Sequence, residues 1–137
     1  MSQLKILIAE DEEVTRQLFA IGFRDQQFAT RIVDNGEDAL ISYKSWQPDI
    51  ILLDIMMPQM NGFQTLQVIR KDLNDTATTV IMVSSVADKK EILACATMGI
   101  HGYILKPFST KTLAATVVAC HLQKKNKCKA SATRTTG

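Results

Sequence analysis

Five polar side chains in this chain could do chemistry together: Glu10, Asp11, Asp54, Ser84 and Lys106. Each follows directly on, or closes, an aliphatic run. Glu10 and Asp11 open a series of four acids after Leu4-Lys-Ile-Leu-Ile-Ala9. Asp54 closes Ile50-Ile-Leu-Leu-Asp54, Ser84 follows Val80-Ile-Met-Val83, and Lys106 follows Gly102-Tyr-Ile-Leu105. Taken singly, each has an ordinary reading. Acids suit the start of a helix, Asp and Ser start turns, and a lysine is commonly a solvated charge. Taken together they imply a site. Carboxylates brought close repel one another unless a cation lies among them. Hard oxygen ligands suit magnesium, which takes one or two carboxylates together with a phosphate oxygen. A cation also lets an anionic phosphoryl group approach an anionic carboxylate, and a carboxylate can be the nucleophile that becomes an aspartyl phosphate. Lys106 and Ser84 would then offer a charge and a hydroxyl donor to the phosphoryl oxygens. On this reading Asp11 and Asp54 hold Mg2+, and Glu10 contributes through water.

Such a site requires the ends of separate strands to meet. The chain alternates strand and helix patterns five times. Strands are expected at 4–9, 29–33, 49–54, 80–83 and 102–105, where apolar runs are short and rich in Ile, Leu and Val. Helical spacing predicts helices at 13 to about 25 (through Val14, Leu18, Ile21 and Gly22), 37–45, 63–73, 88–98 and from Ser109 onward. Asp34-Asn-Gly36 is a turn, and Trp46-Gln-Pro48 and Gly99 stop helices. Asp88 with Glu91 has the spacing of a capping box, and Ser109 can cap the last helix. The last helix should bury Leu113, Thr116 or Val117, Cys120 and, on an adjoining row, Leu122. Five βα units predict an α/β fold: a five-stranded parallel sheet, flanked by five helices and doubly wound. In the strand order 2-1-3-4-5, strands one and three are neighbours where the winding reverses, so Glu10, Asp11 and Asp54 share one crevice.

The totals agree with a single soluble domain. The chain has 137 residues, 46% of them hydrophobic, which is enough for a packed core. No apolar run is long enough for a membrane span, and the N-terminus lacks the features of a signal peptide, so a cytoplasmic location is expected. Cys95, Cys120 and Cys128 have no C-x-x-C spacing, which argues against disulfide scaffolds and zinc sites; the first two read as small buried hydrophobes. The formal charge is +2, yet five positive charges and no acid lie in 124–137, which leaves 1–123 at −3. Residues 1–123 are therefore expected to be the domain and 124–137 a basic, disordered tail, with no nucleic-acid role assigned to the domain alone.

With these residues in place, the chain resembles the receiver domain of two-component response regulators, in layout close to the chemotaxis-type single receivers. The resemblance covers about 4–123. It is carried by Ile8-Ala-Glu-Asp11, Asp34-Asn-Gly-Glu-Asp-Ala-Leu40, Asp49-Ile-Ile-Leu-Leu-Asp-Ile-Met-Met-Pro58 with Asn61-Gly62, Val80-Ile-Met-Val-Ser84, and Gly102-Tyr-Ile-Leu-Lys-Pro-Phe108. It implies that Asp54 is the phosphate-accepting aspartate, that Glu10 and Asp11 are the acidic pair, and that the carbonyl of Met56 completes the magnesium ligands. It implies that Ser84 and Tyr103 are the switch residues, that Lys106 is the lysine of the Lys-Pro motif, and that Lys106-Pro107 is cis. The implied function is a phosphorylation-activated signalling switch rather than a dedicated enzyme. A sensor histidine kinase or phosphotransfer protein would supply the phosphoryl group. A downstream protein would read the face made by the fourth helix, fifth strand and fifth helix.

The chain departs from the usual pattern in two places. Ser85 stands where a small Ala is usual, and Val86 is apolar where several relatives carry a polar group. With Met56, Val86 lines the approach to the phosphate with apolar side chains, so slow self-hydrolysis is expected. Other classes fit less well. A phosphohydrolase with D-x-D at its nucleophile would need an acid where Met56 stands. A dinucleotide-binding domain would need G-x-G-x-x-G where this chain has acids. A phosphorylation-independent interaction module would not need the complete set of site residues. A stand-alone receiver is the first reading, and a receiver belonging to a longer regulator with a DNA-binding or enzymatic output domain is the second.

Overall fold

A computed structural model describes residues 2–130, with side chains through Gln123. The elements alternate as expected. They are β1 (Leu4–Ala9), α1 (Glu13–Gly22), β2 (Phe28–Val33), α2 (Gly36–Trp46), β3 (Ile50–Asp54), α3 (Gly62–Gln67), β4 (Thr79–Ser84), α4 (Lys89–Met98), β5 (Gly102–Leu105) and α5 (Leu113–Ala130). The strands form one parallel sheet in the order β2-β1-β3-β4-β5. β3 and β4 are buried along their whole length, because helices cover both faces of a central parallel strand.

Alternate residues of each strand feed two cores. Ile6, Ile8, Ile50, Leu52, Ile81 and Val83 pack with Phe19, Phe23, Leu113 and Val117 from α1, its C-terminal end and α5. Leu7, Ala9, Ile51, Leu53, Val80 and Met82 pack with Ala39, Leu66, Ile69 and Cys95 on the other face. Each buried Leu, Ile or Phe is worth about 1.5–3 kcal/mol relative to exposure. This packing makes the strand ends rigid supports for whatever they carry.

Four details differ from expectation. α1 ends at Gly22 rather than near 25, and its buried row is Thr15, Phe19 and then Phe23, while Val14 (69% exposed) and Ile21 face solvent. Rows one residue apart share helical spacing, and the larger phenyl groups take the core side. The third helix is not one α-helix to 73. After α3 it widens into a π-helical turn, Val68–Asp72, with the Leu73 N–H donating to the Val68 carbonyl at 2.8 Å. That widening accompanies the burial of both Ile69 and Arg70. In α5 the regular helix begins at Leu113, after a turn in which the Ser109 carbonyl accepts from Thr112 and Leu113. Finally, Leu122 is 50% exposed; its neighbour His121 is buried in its place and pairs with Thr79 Oγ1 at 2.7 Å.

The basic tail expected at 124–137 lies outside the residues whose side chains are described, although the α5 backbone continues to Ala130.

Candidate functional site

β1 and β3 are adjacent in register, Ala9 beside Leu53, so the residues that follow them emerge side by side. Glu10 is fully buried and Asp54 nearly so, while Asp11 is exposed at the mouth of the crevice. Oxygens of these three carboxylates lie within 4.8 Å of one another. Lys106 enters from the end of β5. Its ammonium donates to Asp54 Oδ2 at 3.0 Å, Glu10 Oε2 at 3.2 Å and Glu12 Oε1 at 3.3 Å. An ammonium has three protons, and here all three are committed. Glu10 Oε1 lies 2.9 Å from the same nitrogen, so four carboxylate oxygens share those three protons.

Burial, with Asp54 beside it, raises the Glu10 carboxyl from 4.5 to about 7, against the pull of Lys106. Burial alone would lower Lys106, but its bonds to Glu10 and Asp54 outweigh this and hold it above its ordinary value. One cation thus serves a surplus of acid. An all-oxygen trio with more acid than its one lysine balances fits a hard divalent cation such as magnesium.

Asp54 is oriented from both sides. Its Oδ1 accepts from the Met56 N–H at 3.1 Å, and its Oδ2 is paired with Lys106. The loop after it folds back tightly: the Gly62 N–H donates to the Ile55 carbonyl at 3.1 Å. A Cβ on Gly62 would lie 2.3 Å from the Asp54 carbonyl oxygen, so no larger residue fits there without moving the strand end. Asn61 then caps α3 in a full capping box with Gln64.

Ser84 stands on the neighbouring strand and is buried. Its Oγ accepts from the Val86 N–H at 3.1 Å. Tyr103 lies one layer out. Its hydroxyl contacts the Val86 carbonyl at 3.1 Å and Glu91 Oε1 at 3.0 Å. Burial, reinforced by Glu91 against a hydrogen bond with Ser84, pushes this phenol up to about 12. Glu91 therefore does not close the expected capping box; Asp88 alone caps α4, through the Lys90 N–H. The Lys106-Pro107 peptide is cis, as the resemblance implied.

Sequence reasoning missed two residues at this crevice. Glu12 was read only as part of an acid run, yet it shares Lys106 and also accepts from Thr15 Oγ1. Arg16, five residues beyond Asp11, donates from one nitrogen to the carbonyls of Glu10 (3.0 Å) and Asp11 (2.8 Å). A long cation one turn into a helix that opens with acids was the available signal.

The fold and the crevice together define a doubly wound α/β protein with three acidic side chains and a lysine gathered at its topological switch point. The chain belongs to the response regulator receiver domain family, whose model matches residues 6–118. It is similar to the DNA-binding response regulator MtrA of Mycobacterium tuberculosis (31% identity, covering 84% of this chain and 49% of that protein). It is also similar to the probable transcriptional regulator ycf27 of Guillardia theta (33%, 96% and 50%). The chain thus spans about half the length of these relatives. Among solved structures it resembles the receiver domain of the Francisella response regulator 1452, with a TM-score of 0.78 and 26% identity over 89% of this chain and 99% of that one. The Vibrio cholerae chemotaxis protein CheY4 superposes with a TM-score of 0.80 at 24% identity, over 87% and 99%, which speaks to the fold alone. One of these relatives is a DNA-binding response regulator and the other a probable transcriptional regulator, so the chemotaxis-type resemblance is not singled out by them.

Proposed function

We propose that this receiver is switched by phosphorylation of Asp54. The arrangement that supports the reading is a buried Asp54, held from both sides, sharing Lys106 with Glu10 and Glu12 and clustered with Glu10 and Asp11. A carboxylate oxygen of Asp54 attacks phosphorus of a phosphohistidine on a sensor kinase or phosphotransfer protein. The P–N bond breaks as the P–O bond forms, and its electrons leave with the imidazole. Asp11, Asp54, the Met56 carbonyl and, through water, Glu10 would hold Mg2+. Bound there, the cation offsets repulsion between the carboxylates and the incoming phosphoryl group. Lys106, released from part of its acid load, pairs with a phosphoryl oxygen, and the Ser84 hydroxyl turns from the Val86 N–H to donate to another.

The consequence is a population shift. A phosphoryl group brings about −1.5 to −2 charges and new acceptors. Moving Ser84 disturbs the small network through Val86, Tyr103 and Glu91, and so couples Asp54 to the first turn of α4. Tyr103 swings inward, and a partner that binds the α4–β5–α5 face differently in the two states reads the change. The domain thus reacts on itself and is not a dedicated enzyme. It acts in the cytoplasm; none of its described helices is long and apolar enough to cross a membrane.

A second reading concerns output. The relatives that match over about half their length are DNA-binding regulators, which favours a receiver working with a DNA-binding partner domain over the stand-alone, chemotaxis-type reading. The reading of the site itself is tested by incubation with acetyl phosphate and magnesium, following incorporation by intact mass. Wild type should gain one phosphoryl group and Asp54→Asn none; incorporation that survives the substitution sinks the assignment.

A further inference from the structure

Of the three clustered carboxylates, Asp11 is held least. Glu10 is fixed by Lys106 and by the Glu12 N–H, and Asp54 by Lys106 and the Met56 N–H. The Asp11 carboxylate has no hydrogen bond among the described residues, and it is exposed. The point from which it projects is therefore set by its backbone. That backbone lies in a short loop between β1 and α1, and the Arg16 guanidinium grips it. Nη1 carries two protons and spends both on successive carbonyls, those of Glu10 and Asp11. Two bonds to consecutive carbonyls fix the rotation of the peptides on either side of the Asp11 Cα, and so fix the Cα–Cβ direction from which its carboxylate projects.

We propose that Arg16 is a positioning residue for the divalent-cation site, acting through the backbone of Asp11. The proposal rests on the reading of the crevice as a magnesium-dependent phosphoryl site. Two effects of Arg16 oppose each other. Its charge near the acids repels a divalent cation, whereas its grip preorganises a ligand that nothing else orients. Supports of this kind, one step removed from a metal, are typically worth about 10- to 100-fold in affinity. A screened charge at the rim of a wet crevice counts for less. The sign of the effect on removing Arg16 thus separates positioning from charge.

The test is magnesium affinity, measured by calorimetry on the unphosphorylated protein, with thermal melts in EDTA as a control on folding. Arg16→Ala should weaken binding about tenfold or more. Arg16→Lys should recover most of it, because an ammonium on a long stem can reach both carbonyls. Arg16→Gln, with a shorter reach, should fall between and serves if the alanine variant is poorly folded. In an Asp11→Asn background Arg16→Ala should add little, since its effect passes through Asp11. Variants that bind magnesium as tightly as wild type, or more tightly, overturn the positioning role while leaving the site reading intact. A wild type that binds no magnesium overturns the site reading, and this inference with it.

Discussion

Two clusters of buried charge sit at opposite ends of the sheet, and they are built on opposite rules. At the C-terminal ends of the strands, one lysine serves Glu10, Asp54 and Glu12, three acids to one cation. At the other end, Arg70 is buried with its donors matched: Nε to the Gly99 carbonyl at 2.9 Å, Nη1 to Asp75 O at 2.8 Å and Nη2 to Thr78 O at 2.8 Å. Asp75 accepts from Tyr43, from the Thr78 hydroxyl and from the N–H groups of Ala77 and Thr78. The shifts follow suit. Although burial opposes it, the bonds from Thr78 and Tyr43 hold Asp75 well below its ordinary value, whereas Glu10 is raised. A balanced cluster ties the π-helical turn, the segment before β4 and the turn after α4 together. One with surplus acid keeps binding capacity for a cation.

The contrast predicts a clean separation of effects. The largest is chemical: Asp54→Asn should abolish phosphoryl incorporation while leaving the thermal midpoint in EDTA at or above that of wild type, because it removes one of the competing acids. The next is structural. Arg70→Ala leaves three carbonyls without their donor and Asp75 without its nearby charge, and breaking such a buried cluster costs about 3–5 kcal/mol. Urea titration should show that loss, while the folded variant should still accept phosphate from acetyl phosphate at close to the parental rate. A stable Arg70→Ala protein that no longer accepts phosphate would erase the distinction between the two ends.

A pH series sharpens it further. Glu10 carries a folded value of about 7 against an ordinary 4.5. The folded state therefore holds the extra proton between these values, and metal-free stability falls as pH rises from about 4.5 to 7. Asp75 has the opposite sign: its contribution is present above its ordinary 3.8 and is lost as pH falls below that. In EDTA, Glu10→Gln should therefore gain on wild type as pH rises through 4.5 to 7. Asp75→Asn should lose its deficit toward wild type only below pH 4. Urea midpoints measured for both across this range check the two signs independently.

Much of the crevice could be read from the chain because strands buried on both faces are continuous apolar runs, and whatever follows such a run must sit at a strand end. Asp54, Ser84 and Lys106 announced themselves in that way. The helices were harder. Val14, Leu18 and Ile21 lie at core spacing just as Thr15, Phe19 and Phe23 do, and only the sheet they face decides which row is buried. Arg70 falls inside the helix expected at 63–73; its burial depends on carbonyls at Asp75, Thr78 and Gly99, partly far along the chain, and on a π-helical turn with no sequence signature. Glu91 fitted a capping box by spacing, but a tyrosine twelve residues on offered a better partner. Local patterns thus located the strand ends, while the partners of long polar side chains depended on tertiary approach.

The smallest expected effect concerns the rim of the crevice. Met56 is 68% exposed and Val86 49%, each two residues beyond a strand end of the crevice, Asp54 and Ser84. Neither side chain can accept a hydrogen bond worth the name, so an attacking water is not held in line with the P–O bond. Orientation is where such a residue acts, since a positioned nucleophile is gained at little cost once its partner is fixed. Replacing Met56 by Asn, or Val86 by Glu, supplies an acceptor beyond either strand end without touching Asp54, Lys106 or the acidic pair. The phosphorylated parent should therefore outlast both variants several-fold when phosphate release is followed after removal of the donor. The double variant should lose phosphate fastest, because the two side chains approach the same water from opposite loops. A parent whose phosphoryl group decays as quickly as theirs would mean that the rim does not govern access, and that hydrolysis is set instead within the crevice, by Lys106 and the acids that share it.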